Sequence, residues 1–467
     1  MTAKATPSKK FFVSMLTRDI ELKDAILDLL DNCVDGVLRY RQVHPAANKE
    51  KPYEGFWAKI NISDKSFSIE DNCGGISKKI AEESAFRLGR ADLDRDKDLP
   101  TVGMYGIGMK RAIFKMGRKA TVFSKCKPYS YYVEILPAWL EDDDDWELPL
   151  IDKDSVLEQE GTRILIEHLH EYIAMQLGGK DFDKELREDI SHFFAVILGK
   201  GFKVYLNDRE IPEGDFRLLR PKDFEIPNQI QPYVYKGKIK GVSVEIVVGF
   251  YRELASITET EKEEEEEKDR PSRKTENAGW TVICNDRVVL YKDRTRLTGW
   301  GVRDIPRYHT QFIAIAGTVV FTSNDSLMLP LGTTKRNIDT SSEIYHKALD
   351  RMMDGLKLFT NFTNRWKGLE EETSEYFKRM ELSEPSEIVK SVKKWSKVRR
   401  SRDDEQQFVP SLPEPPRILS KRRIAFYKPS SEIRFLAEYF FDDPDSLPSD
   451  VGERCFDEAL KNAKVKK

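Results

Sequence analysis

The stretch AILDLLDNCVDG at 25–36 constrains this chain more than any other, because it puts its charges on a helix too apolar to be solvated. Asp28, Asp31, Asn32 and Asp35 fall at i, i+3, i+4 and i+7 and so share one face. Ile26, Leu29, Leu30, Cys33, Val34 and Val37 cover most of the remaining circumference. Such a helix is expected to be buried, and burying several carboxylates without partners costs on the order of several kcal/mol. A cation or a polarised water is therefore expected against that face. An Asn oxygen there can ligate Mg²⁺ beside phosphates, and a carboxylate one turn away can orient or deprotonate water. Taken alone, the pattern also fits a solvated acidic face on a surface helix.

Two further segments add to it. Ile60, Ile62, Phe67 and Ile69 alternate as in a strand hairpin, and Asp71 follows at the strand end, just before Gly74 and Gly75. A backbone without side chains lets a flat ring approach, and one buried carboxylate can accept from an exocyclic amine. An ordinary Asp-Asn turn is the plainer explanation of that segment by itself. In VGMYGIGMKRA, Gly103, Gly106 and Gly108 form G-x-x-G-x-G and run into an amphipathic helix from Met109 to Met116. Successive backbone N–H groups at a helix start, here with Met109 leading, cradle anions, and Lys110 and Arg111 can add charge. The charged stretch 90–100 before it reads as a mobile lid.

Together, in this order, the three segments resemble the gyrase, heat-shock chaperone, histidine kinase and MutL superfamily of ATPases, the GHKL or Bergerat fold. The resemblance implies an α+β chain: a Bergerat-fold α/β sandwich, then a transducer-like α/β domain and a helical C-terminal region. It implies that ATP and Mg²⁺ are bound, with Asn32 on the metal, Asp71 on adenine beside Gly75, and Gly103, Gly106, Gly108, Met109 and Lys110 around the phosphates. Gly161-Thr162, opening GTRILIEHL, matches the superfamily's G-T pair, whose Thr assists adenine recognition. Two positions depart from the pattern. The catalytic base would be Asp28 where the superfamily has Glu, one methylene longer, so slow turnover is expected; the first Gly of the second motif is Cys73.

Farther on, LPLGTTKRNIDTSSEIY spans 329–345. Gyrase, MutL and MORC ATPases carry a second-domain lysine that touches the γ-phosphate, and Lys335 is its counterpart, a second catalytic residue by resemblance. The chain looks closest to MORC-like bacterial ATPases over about residues 8–350, and nothing in it resembles a phosphoacceptor or receiver domain.

At 467 residues, two or three domains are expected. The boundaries drawn are 1–175 for nucleotide binding, 176–365 for the transducer-like domain, with strand-like runs at 202–206, 242–249 and 280–291, and 366–467 for a helical, partly linker region. A net charge of −3 with 34% charged residues confines any nucleic-acid surface to a local patch. The five cysteines form no C-x-x-C pair and the six histidines no metal-spaced cluster. Without a signal peptide or an apolar run of about 18 residues, a soluble cytoplasmic protein with no membrane partner is expected. The acidic runs 141–145 and 259–277 are expected to protrude as loops. Helical patterning through Leu349, Met352, Met353, Leu356 and Leu358 leads to a basic stretch at 390–402, where Lys and Arg with Trp395 can track phosphates and stack on a base. That stretch also fits a solvated helix face. The aromatic run 433–441 is expected to dock on something.

Two functions fit. One is an ATP-driven switch whose heads form a homodimer when nucleotide binds, working on DNA or a partner effector. The other is a chaperone-like or signalling ATPase acting on proteins, in a bacterial defence system for example.

Overall fold

The computed structural model describes residues 8–465 except 88, 90–98, 102, 104–105, 154–156, 257–258, 261–276, 333–334, 399–404 and 417–423. The expected lid at 90–98 and most of the acidic run 259–277 lie outside the described residues. Helices α1 (Lys9–Arg18) and α2 (Leu22–Val43) open the chain. The apolar side of α2, with Ala25, Ile26, Leu29, Leu30, Val34 and Val37, is buried in a core shared with a mixed sheet. That sheet holds β1 (Trp57–Ile62), β2 (Phe67–Asp71), β3 (Gly117–Cys126), β4 (Tyr129–Ile135), β5 (Ile151–Asp152), β6 (Gly161–Leu169), β7 (Lys203–Leu206) and β8 (Arg209–Glu210). Its order is β5-β4-β3-β6-β2-β1-β7-β8, antiparallel except where β7 runs parallel to β1. In β1 the residues Ala58, Ile60 and Ile62 turn inward and Lys59 and Asn61 outward, the period of a half-buried strand. A one-turn helix, α3 (Lys78–Ile80), precedes α4 (Gly108–Met116), which packs against α1 and α2.

The run 202–206, read as part of the second domain, is β7 and completes the first sheet. Sequence spacing could not show this, because the strand is separated from its partner β1 by the helices between Glu171 and Gly199.

A second sheet has the order β13-β12-β14-β11-β10-β17-β16. Its strands are β10 (Tyr233–Ile239), β11 (Val242–Phe250), β12 (Gly279–Cys284), β13 (Arg287–Asp293), β14 (Ile315–Thr322), β16 (Ser396–Lys397) and β17 (Gln406–Phe408). The 280–291 run is a hairpin: Asn285 and Asp286 both take left-handed φ, 48° and 67°, as a two-residue turn between twisted strands requires. The helix Glu343–Trp366 covers this sheet, burying Met352, Met353 and Leu356, with Leu349 and Leu358 partly buried. The C-terminal region is helical at Ser430–Phe441 and Pro448–Val465, and it also lends strands to earlier parts. β17 pairs with β10, and β15 (Met380–Ser383) pairs with β9 (Leu218–Pro221).

Three local expectations need correction. Trp395 is packed rather than free to stack on a base: it lies against the cluster of Leu218, Val234 and Ile388, with the Lys236 ammonium 4.0 Å from its ring. The acidic run 141–145 is exposed but anchored, since Asp143 accepts from the Lys9 N–H at 2.7 Å and the buried Lys9 ammonium donates to the carbonyls of Trp139 and Asp145. On the aromatic helix Ser430–Phe441, Ala437 is buried with Leu436 and Phe440 partly covered, while Phe435 and Tyr439 remain 74% and 72% exposed. Phe435 and Tyr439, four residues apart, lie off the face of Ala437, so packing against Pro448–Val465 leaves them bare. Among the described residues, no helix is long and apolar enough to cross a membrane.

Candidate functional site

The residues expected to hold nucleotide or metal or to act in catalysis line one cavity of about 520 Å³: Asp28, Asn32, Asp71, Gly75, Gly103, Gly106, Gly108, Met109, Lys110, Thr162 and Lys335. The floor is α2, but its polar face divides. Asn32 is exposed, and Asp28, Asn32 and Asp35 reach the cavity, while Asp31 does not line it and is bound to the second sheet. Arg39, four residues beyond Asp35 on the same face, also lines the cavity. The sequence reading missed it, although its i+7 spacing from Asn32 marks that face.

At the end of β2, Asp71 accepts from the N–H of Cys73 at 2.8 Å and of Thr162 at 3.3 Å. Burial raises its pKa to about 6, despite those hydrogen bonds and the nearby Cys33 and Cys73 thiols. Burial, with the Asp71 charge next, also raises the pKa of both thiols. Two glycines make this corner possible. A Cβ on Gly75, whose φ is 69°, would lie 2.3 Å from the Lys125 carbonyl oxygen, and one on Gly161 would lie 1.9 Å from that of Asp71. The main chains of β2, β3 and β6 therefore meet at the cavity wall as only glycine permits.

Opposite, the Gly103 N–H donates to Asp35 Oδ2 at 3.1 Å, and Gly106 has a φ of 65°. Helix α4 begins at Gly108 behind Ile107, whose side chain makes no capping hydrogen bond, and the first N–H groups of such a helix can meet an anion. Lys110 holds the loop: its buried ammonium donates to the carbonyls of Ala85, at 3.0 Å, and Gly106. Burial lowers its pKa to about 8.

The last wall comes from far along the chain. Lys335 sits in a tight loop closed by the Leu331–Ile338 bridge, with a left-handed φ of 56°. Its ammonium donates to Asp31 Oδ2 at 3.0 Å and lies 3.3 Å from Asp28 Oδ1, while Arg111 is 2.8 Å from Asp28 Oδ2. Both oxygens of the expected catalytic base are thus held by cations. Burial works against the Lys335 charge, but Asp31, Asp28 and Asp35 outweigh it and raise its pKa. Burial likewise works against an ionised Asp31, and Arg287 and Lys335 outweigh it, lowering its pKa. The sequence reading missed Arg287, which no local pattern ties to α2.

Asn32 fits a magnesium site. Its carboxamide is exposed to the cavity, no hydrogen bond within the chain occupies it among the described residues, and a metal that keeps waters and phosphates needs only one or two protein oxygens. No cluster of three or more His, Cys, Asp or Glu suited to a metal occurs among the described residues.

Residues 20–162 match the family described as histidine kinase-, DNA gyrase B-, and HSP90-like ATPase. A comparison with curated proteins finds no match. The matched span runs from the start of α2 to Thr162 and supports a GHKL-type ATP-binding domain built around the cavity.

Proposed function

We propose that the chain is a slow, magnesium-dependent ATPase that works as a conformational switch, its second sheet sensing the nucleotide through Lys335. The reading rests above all on Lys335, whose ammonium crosses 304 residues of sequence to Asp31, one residue before Asn32. A cation delivered to the cavity from the other sheet is what a γ-phosphate sensor requires.

In this reading Asp71, ionised, accepts from the adenine amine, and Thr162 and the Gly75 backbone close around the ring. The Gly103–Gly108 loop and the start of α4 hold the phosphates. Asn32 would hold Mg²⁺, which when bound supplies charge neutralisation across the phosphates. Lys335 moves from its carboxylates to the terminal phosphate, where a triphosphate offers more negative charge than a diphosphate. That departure releases Asp28 Oδ1, which can then accept a proton from the attacking water. The shorter Asp and the cations on its oxygens are both reasons for slow turnover.

Closure of two heads into an ATP-dependent homodimer, and coupling to DNA or a partner effector in the manner of MORC-like ATPases, belong to the same proposal. The matched ATPase span and the Lys335 loop support it. Lys390 and Lys393 pair with Glu387 and Glu225, and Trp395 is packed, so a DNA contact at 390–402 would use phosphate attraction and not base stacking. The test is ATPase rate and ADP affinity, with and without duplex DNA at two salt concentrations. Stimulation lost at higher salt favours DNA as client; no adenine nucleotide binding at all sinks the reading.

A further inference from the structure

The ion-pair cluster behind the cavity holds one member that ATP hydrolysis itself does not call for. Arg287 opens β13 and is 1% exposed, as is Asp31. Its Nε donates to Asp31 Oδ1 at 2.8 Å, opposite the oxygen that Lys335 takes. Each oxygen of this buried carboxylate thus has its own cation, and the two cations differ in freedom. The Arg287 guanidinium also donates to the carbonyls of Phe193 and Val288, at 3.0 and 2.9 Å, and lies 4.2 Å from the Phe194 ring centre. The turn before it is fixed as well. Asn285 donates to the Thr101 carbonyl, two residues before Gly103, and Asp286 accepts from Tyr53 and Lys200. Lys335, in contrast, has a flexible four-carbon stem. Its neighbour Arg336 secures the loop on Asp24 at 2.7 Å and Asp189 at 3.5 Å, so Lys335 can change partner by side-chain rotation while the loop stays docked.

We propose that Arg287 is a positioning residue that acts through Asp31. By pairing with the far oxygen it keeps Asp31 compensated, so that Lys335 can leave for the terminal phosphate of a bound triphosphate and return once that phosphate has gone. This role rests on the ATPase reading. With Arg287 absent, the departure of Lys335 would strand a buried, unpaired carboxylate, and Lys335 would stay where it is.

The experiment measures kcat and calorimetric affinities for ADP and adenylyl imidodiphosphate in the full chain. Arg287→Met is expected to lower kcat about tenfold, a typical coupling between linked sites, with ADP affinity nearly unchanged. Arg287→Lys is expected to lose less, and Arg287→Met combined with Asp31→Asn to recover most of the rate, since Asp31→Asn then leaves no buried carboxylate behind at that position when Lys335 departs. Parallel loss of kcat and ADP affinity, or no recovery in the double variant, would show a structural role only. Should Arg287→Met not fold, the near-isosteric Asp31→Asn alone decides: it is expected to raise the imidodiphosphate-to-ADP affinity ratio about fivefold, and an unchanged ratio overturns the role. A wild-type chain that binds no adenine nucleotide overturns the ATPase reading and this role with it. A wild type that turns over ATP, beside variants with unchanged ratios, overturns the role of Arg287 alone.

Discussion

At the scale of single residues, Asp71 carries the clearest pH dependence. Its pKa of about 6 means that the folded chain takes up this proton more readily than the unfolded chain. The group therefore favours the folded state below pH 4, and that contribution is lost as pH rises through about 6. The proposed adenine recognition would run the other way, because the amine needs the ionised carboxylate. ADP affinity is expected to drop about tenfold between pH 7 and pH 5, following the ionised fraction, and the Asp71→Asn variant should show weak binding with a flat profile. A wild-type profile as flat as the variant's would remove Asp71 from the adenine site. Asn32→Ala is expected to abolish magnesium-dependent ATP binding while leaving a folded chain, and calorimetry with unchanged MgATP affinity would refute that. Asp28→Ala should bind ATP and not turn it over; a wild-type rate in that variant would place the base elsewhere.

Among the elements, the corner where β2, β3 and β6 meet makes the sharpest steric prediction. Gly161→Ala puts a methyl 1.9 Å from the Asp71 carbonyl oxygen, where nothing but backbone can yield, and is expected to cost about 1–3 kcal/mol of stability in urea unfolding. Gly108→Ala meets nothing nearer than the Asp28 side chain, at 3.5 Å, and should unfold at the wild-type midpoint. If both variants unfold alike, the packing of that corner is not what holds it. The contrast also marks what sequence can carry. The Gly103–Gly108 loop and the Asp28–Asn32 spacing were legible because each lies within one or two turns of chain, where periodicity acts. The reason for Gly161, the pairing of β7 with β1, and the split of the α2 face between Asn32 and Asp31 were not. Each depends on an atom brought from 90 or more residues away: the Asp71 carbonyl, the Lys203–Leu206 strand and the Arg287 guanidinium.

For the whole molecule, the proposed switch would use the contact of Lys335 with α2 to tie the relation between the two sheets to nucleotide state. Lys335→Ala is expected to leave ADP affinity nearly intact and to reduce hydrolysis. In sedimentation with a non-hydrolysable ATP analogue, the wild type should shift toward dimer and the variant less so; a wild type that stays monomeric would refute nucleotide-gated pairing. The parallel strand β7 has a consequence for anyone cutting this chain. A fragment ending near residue 175 would hold the whole nucleotide cavity apart from Lys335, yet it would bare the hydrogen-bonding edge of β1, Trp57–Ile62, which Lys203–Leu206 otherwise covers. An open, partly apolar strand edge invites pairing with other chains. Such a fragment should aggregate, and one extended past Ile211, whose N–H bonds to Val204, should stay in solution.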